Sequence, residues 1–235
     1  MENKVIICGC ASRSIMEAEK VARMAALLKQ KGFEVSIVPD LCEMAEDRKE
    51  ALKALEGQTV IACHERAVNA LMAWRGVSVG QTYNLRAHTT EEVAAEMGIT
   101  TEALDEETLN AYRRQIADLP TDQGHDAWFP IIDRDRCVDC GKCHDFCLFG
   151  VYKLDEDGRV QVTDPHSCKN NCPACARTCP QEAVIFPKHG FAPINGGEAQ
   201  EEQTIKIDTK QLYNQALRER LAARRAGVSL LKKKE

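Results

Sequence analysis

The chain has 235 residues, a formal net charge of −5 and twelve cysteines. That length accommodates one large or two ordinary domains with real cores, and the acidic balance argues against a nucleic-acid partner. Only Val5 to Cys8 are apolar near the start, far short of the roughly 20 residues of a membrane span or of a signal segment. The sequence therefore reads as cytoplasmic without membrane insertion, and clustered thiols in a reducing compartment favour metal over disulphides.

Residues 4–9 form a short apolar run, as in a buried parallel strand, and a helix is predicted from Ser14 to Lys31 with Gly32 as its stop. Phe33 to Val38 reads as a strand, Glu43 to Leu55 as a helix, Thr59 to Ala62 as a strand and Glu65 to Trp74 as a helix; Val77 to Asn84 is one further candidate strand. This alternation predicts a parallel sheet covered on both faces. Thr89 and Glu92 have capping-box spacing, and helical character then runs to Leu119 with a break near Gly98. Residues 120–130 read as a linker, residues 190–204 as a loose segment and Asp208 to Arg225 as an amphipathic helix stacking Tyr213, Leu217 and Leu221. The expected organisation is an α/β fold. A parallel α/β domain spans 1–88, a helical segment and linker 89–129, a small α+β domain organised by metal 130–190, and a loose segment with a C-terminal helix 191–235.

Two cysteine runs dominate the third region. Cys137, Cys140, Cys143 and Cys147 follow a C-x2-C-x2-C-x3-C pattern, and Cys168, Cys172, Cys175 and Cys179 follow C-x3-C-x2-C-x3-C, closing on Pro180. Three thiolates on one tight loop reach three corners of a cubane, and the fourth corner must come from elsewhere. In two-cluster proteins the last cysteine of each run serves the other cluster. The spacing thus assigns Cys137, Cys140, Cys143 and Cys179 to one [4Fe-4S] cluster, and Cys168, Cys172, Cys175 and Cys147 to a second. Asp157-Gly158 marks a hairpin between the runs, and Gly141 fits a tight ligand loop. Structural zinc is the rival, but four-thiolate zinc sites join two separated pairs instead of interlocking two quartets. His144 and His166 lie among the thiols and are not needed as ligands.

Over residues 130–188 these features resemble the bacterial two-[4Fe-4S] ferredoxins. Leu148 stands where that family usually has proline, and the second run carries one extra residue between its first two cysteines.

Cys8, Cys10, Cys42 and Cys63 fall just at or beyond the carboxyl ends of the first three strands. In a parallel sheet those ends share one edge, where such folds bind ligands. Residues 3–88 also resemble the N-terminal domain of the A subunit of heterodisulphide reductases. The shared features are Cys8-Gly9-Cys10, Leu41-Cys42, Val60 to Arg66 including Cys63-His64, and Asn84-Leu85-Arg86. In that family these cysteines hold a [4Fe-4S] cluster, so the resemblance implies a third centre on Cys8, Cys10, Cys42 and Cys63, with free thiols or a Cys8 to Cys10 disulphide as the alternatives. It also puts His64, Glu65 and Arg86 near that centre. No G-x-G-x-x-G follows any strand, so neither flavin nor NAD is expected in this polypeptide.

No catalytic constellation is visible, and no catalytic residue is assigned. The reading is an electron-transfer protein or oxidoreductase subunit that relays single electrons between redox partner proteins, a flavin-containing oxidoreductase among them; an oligomer is compatible with it. Its rivals are a reductase of a disulphide or small substrate at the N-terminal centre, and an iron-sulphur sensor or assembly factor.

Overall fold

In the computed structural model, residues 4–47, 50–120 and 126–199 are described. The first strand, β1 (Lys4–Cys8), is buried beyond its first residue, as a central parallel strand must be. It pairs in parallel with β2 (Glu34–Val38) on one side and β3 (Thr59–Ala62) on the other, and β4 (Thr82–Asn84) continues the sheet beside β3 in the order β2-β1-β3-β4. The first crossover helix, α1 (Ala18–Gln30), starts later than its apolar pattern, because residues 11–14 form turns and Ser14 adopts a φ of 48°. At its end the amide of Phe33 donates to the Leu28 carbonyl at 3.0 Å, with Gly32 at a φ of 82° between them. This is the glycine-dependent helix stop expected from the sequence.

The helix expected over Glu43–Leu55 is instead two pieces, α2 (Leu41–Glu46) and a 3-10 turn (Glu50–Leu55). Its start moves back two residues because the Asp40 side chain accepts from the amides of Cys42 and Glu43 and so caps the helix. Helix α3 (Glu65–Trp74) has the bounds read from the sequence. Strand β4 is shorter than Val77 to Asn84, since the Gly57 and Gly80 amides bond across a turn to Ser78 O and Gln58 O. Helix α4 (Thr90–Glu96) opens on a complete Thr89–Glu92 capping box, and α5 (Glu106–Ala117) lays Leu109 against Ala22 and Ala26 of α1.

The cysteine-rich region is α+β. Strand β5 (Ile131–Ile132) pairs antiparallel with β8 (Val184–Ile185), and β6 (Tyr152–Leu154) forms the expected hairpin with β7 (Val160–Val162). Two short helices, α6 (Lys142–Phe146) and α7 (Ala174–Thr178), sit within the two cysteine runs. Trp128, Ile132, Val151, Tyr152, Val160, Val162, Val184 and Phe186 form a core distinct from the one under the parallel sheet.

The described residues up to 198 form one compact unit. Within this unit, residues 127–130, read as linker, are buried, because Trp128 and Phe129 bring large apolar surface to the seam between the two cores. The segment 191–197, read as loose from its glycine content, packs on α3: Arg66 donates to Pro193 O at 3.0 Å and Gly196 O at 3.3 Å, and Asn195 is buried. The helix expected over Asp208 to Arg225 lies outside the described residues. No helix among the described residues is long and apolar enough to cross a membrane.

Candidate iron-sulphur sites

The register of the parallel sheet fixes the first group of cysteines. Cys8 is the last residue of β1 and lies opposite Val38 at the end of β2, and Ala62, next to Cys63, closes β3. Cys10 follows β1 with a φ of 49°, and Cys42 is in the first turn of α2. One cavity is lined by Cys8, Cys10, Cys42 and Cys63 together with Asp40 and Lys188.

In the cysteine-rich region, a second cavity is lined by Cys137, Cys140, Cys143 and Cys179, and a third by Cys147, Cys168, Cys172 and Cys175. Gly141 adopts a φ of 74° at the start of α6, a turn that an L side chain would strain, which lets the chain double back between Cys140 and Cys143. No two of the twelve cysteines are joined in a disulphide. Among the described residues no three His, Cys, Asp or Glu side chains gather as they would around one metal ion. The thiols border three cavities, four to each, and four is the number of cysteine ligands a cubane takes.

Electrostatics agree with that donor chemistry. Burial pushes the Cys8 and Cys42 thiols well up, and burial with neighbouring Cys10 pushes Cys63 up to about 12. Burial and adjacent cysteines likewise take Cys143 and Cys168 up to about 12. Four such groups become thiolates together only beside strong positive charge, which a ferric and ferrous core supplies. Polar hydrogens already face the sulphurs: the Leu41 amide donates to Cys8 Sγ at 3.4 Å, the Ala183 amide to Cys179 Sγ at 3.3 Å and the Tyr152 hydroxyl to Cys175 Sγ at 3.1 Å. Amide and hydroxyl donors of this kind are what stabilise cluster sulphur. The residues present therefore fit [4Fe-4S] groups.

The other residues singled out in the sequence have different surroundings, and of them Arg86 faces the N-terminal thiols. His144 bonds to Asp145 at 2.9 Å and His166 faces Glu46 at 3.3 Å, and neither borders a cysteine cavity. His64 takes a hydrogen bond from the Asn84 amide at 3.0 Å, and burial with the nearby Arg86 and Arg66 cations lowers it to about 4, so it is neutral. Glu65 lines a separate cleft with Arg66, Arg134 and Arg136. Arg86 interacts electrostatically with Cys63, Cys10 and Cys42. Lys188, Asp40, Ser12 and Tyr152 as a sulphur donor were missed; only Asp40 carried a local signal, as a capping residue directly before the apolar Leu41. Phe146, Leu148 and Phe149 are exposed beside the third cavity, Leu148 being 91% exposed at the position where ferredoxins usually carry proline.

No protein-family model matches the chain. Part of it is similar to curated proteins: 48% identical over 62 residues to an uncharacterised ferredoxin of Methanocaldococcus jannaschii, 26% of this chain and 42% of that protein. It is 38% identical over 55 residues to the pyruvate synthase subunit PorD of the same organism, 23% of this chain and 62% of the subunit. It is 32% identical over 79 residues to Ferredoxin-3 of Nostoc sp., 25% of this chain and 80% of that protein. The chain thus spans less than half of the first of these relatives, and about three quarters of its own length lies outside the matched stretch.

Proposed function

Because the chain belongs, through about a quarter of its length, to the ferredoxins, we propose that it is an iron-sulphur electron carrier with three [4Fe-4S] centres. The observation that carries this reading is the partition of twelve free cysteines into three cavities bordered by four each. Cys137, Cys140, Cys143 and Cys179 would hold the first centre, Cys168, Cys172, Cys175 and Cys147 the second, and Cys8, Cys10, Cys42 and Cys63 the third. Each cluster, when bound, takes up and gives back one electron.

The protein's own contribution is to bury the thiols, hold them apart and aim donors at their sulphurs. In this reading residues 1–88 carry the third centre, 130–190 the first two, and 89–129 join them. Cys168 supports their being neighbours: alone among the eight cysteines of the two runs, it packs against both the sheet core and the cysteine-rich core.

The partner is proposed as another redox protein. PorD is by name a subunit of a pyruvate synthase, which favours work inside an oxidoreductase assembly. The resemblance of residues 3–88 to the heterodisulphide reductase A subunit points to a flavin-containing oxidoreductase. Reduction of a disulphide or small substrate at the third centre would need an open coordination position, whereas four cysteines border that cavity.

Anaerobic iron and sulphide analysis with Mössbauer spectra tests the proposal. About twelve irons per chain would support three centres, and about eight would confine them to the two runs. Stoichiometric zinc without sulphide would end the electron-carrier reading.

A further inference from the structure

We propose that Lys188, carried by the segment after β8, is the built-in counter-ion of the N-terminal four-cysteine site; this rests on the reading that Cys8, Cys10, Cys42 and Cys63 hold a cluster. Both Lys188 and Asp40 are almost completely buried, with side chains 2% and 1% exposed, and the Lys188 ammonium lies 2.6 Å from Asp40 Oδ2. It also donates to Ser12 Oγ, which in turn donates to the same carboxylate oxygen at 2.8 Å. Both charged residues border the cavity of the four cysteines.

Asp40 is there for a structural reason. Its Oδ1 accepts from the amides of Cys42 at 3.0 Å and Glu43 at 3.1 Å, which starts α2 and sets the position of Cys42. That geometry puts a buried carboxylate beside four thiolates, and like charges in a low-dielectric site oppose one another and oppose any added electron. Lys188 offsets that carboxylate. Its backbone is gripped from both sides by Arg86, whose guanidinium donates to Pro187 O at 2.8 Å and His189 O at 2.7 Å. The lysine is 148 positions from its partner in sequence. The charge balance of the N-terminal site is therefore completed by the far end of the cysteine-rich region.

Reduction adds one electron, and so one negative charge, to the site; a neighbouring cation favours it and a neighbouring anion opposes it. The test is an anaerobic redox titration of the full chain with dithionite, following the electron paramagnetic resonance signal that disappears in Cys63→Ser. For Lys188→Met we expect the reduced-to-oxidised ratio at a fixed potential to fall by about tenfold, a midpoint lower by about 59 mV for a one-electron couple. Asp40→Asn, which keeps a good cap, should shift it the other way, the double variant should return close to the parent, and Lys188→Arg should retain the parent midpoint.

A residue that only fills space would not give shifts of opposite sign. A twelve-iron protein in which Lys188→Met leaves the midpoint unmoved, or in which both single variants move it in one direction, overturns the inference and leaves the third centre standing. Should Lys188→Met lose the centre, Asp40→Asn decides, and a midpoint that does not rise there overturns the inference as well. A parent protein with about eight irons and no Cys63-dependent signal overturns the reading underneath.

Discussion

Trp74 and Phe129 meet with ring centroids 5.3 Å apart at the seam between the parallel sheet and the cysteine-rich region. Trp74 closes α3, its indole Nε1 donates to the Val162 carbonyl of β7 at 3.1 Å, and the Arg75 guanidinium lies 3.3 Å from its ring centre. It is packed against both cores. Trp74→Ala should cost about 2–4 kcal/mol, because it leaves a cavity on both sides and strands the Val162 carbonyl. Trp74→Phe should cost about 1 kcal/mol, the worth of the lost hydrogen bond. Anaerobic urea unfolding of the cluster-loaded protein measures both; equal losses in the two variants would mean that the ring contact contributes nothing.

The last cysteine of each run lines the cavity of the other run. Cys179 borders the cavity of Cys137, Cys140 and Cys143, although it belongs to the second run. Cys179→Ser should therefore perturb the centre held by the first run and leave the spectrum of the other intact, and Cys147→Ser should do the reverse. Iron counts with resonance spectra of the two variants distinguish this from an uncrossed arrangement, in which each substitution would damage the centre of its own run.

Much of this was legible because spacing and period are local. The order strand, helix, strand predicts a parallel sheet, and once the sheet is parallel, Cys8 and Cys63 must share an edge. The parts that were not legible depend on long-range partners. Strands β5 and β8 are two residues each, too short for any alternation to show, and pair across some fifty intervening positions. Lys188 sits in an ordinary Phe186-Pro187-Lys188-His189 stretch, and only the fold brings it to Asp40. Trp128 and Phe129 did carry a signal, since two adjacent aromatics are poorly explained by a solvated linker.

Tyr152 offers a nearly isosteric test of how the chain tunes its sulphurs. The side chain is buried, 4% exposed, and its hydroxyl donates to Cys175 Sγ at 3.1 Å. Hydrogen bonds to cluster sulphur stabilise the more negative, reduced state. Tyr152→Phe should leave the iron content unchanged and lower the midpoint of the centre that includes Cys175, with a stability change of about 1 kcal/mol or less. A midpoint that rises would mean that the hydroxyl does not act as a donor to sulphur.

The Thr89 cap is a stability element that lines none of the three cysteine cavities. Its hydroxyl accepts from the Glu92 amide at 3.2 Å while the Glu92 carboxylate accepts from the Thr89 amide at 2.8 Å, which satisfies two donors at the start of α4. Thr89→Ala should cost about 1 kcal/mol in unfolding and leave all cluster potentials at their parent values.

Gly196 tests the packing of the segment after β8 on α3. It adopts a φ of 92°, and a Cβ built there would come within 2.8 Å of the Ala67 Cβ and 3.1 Å of the Ala67 amide nitrogen. The neighbour cannot give way cheaply, because it is helix backbone with a fully buried methyl. Gly196→Ala therefore combines backbone strain with overpacking and should cost about 1–3 kcal/mol. The Arg66 bonds to Gly196 O and Pro193 O belong to the same contact, so hydrogen exchange in residues 193–197 should quicken in the variant. Unchanged exchange there, with parent stability, would show that this segment does not hold its place on α3.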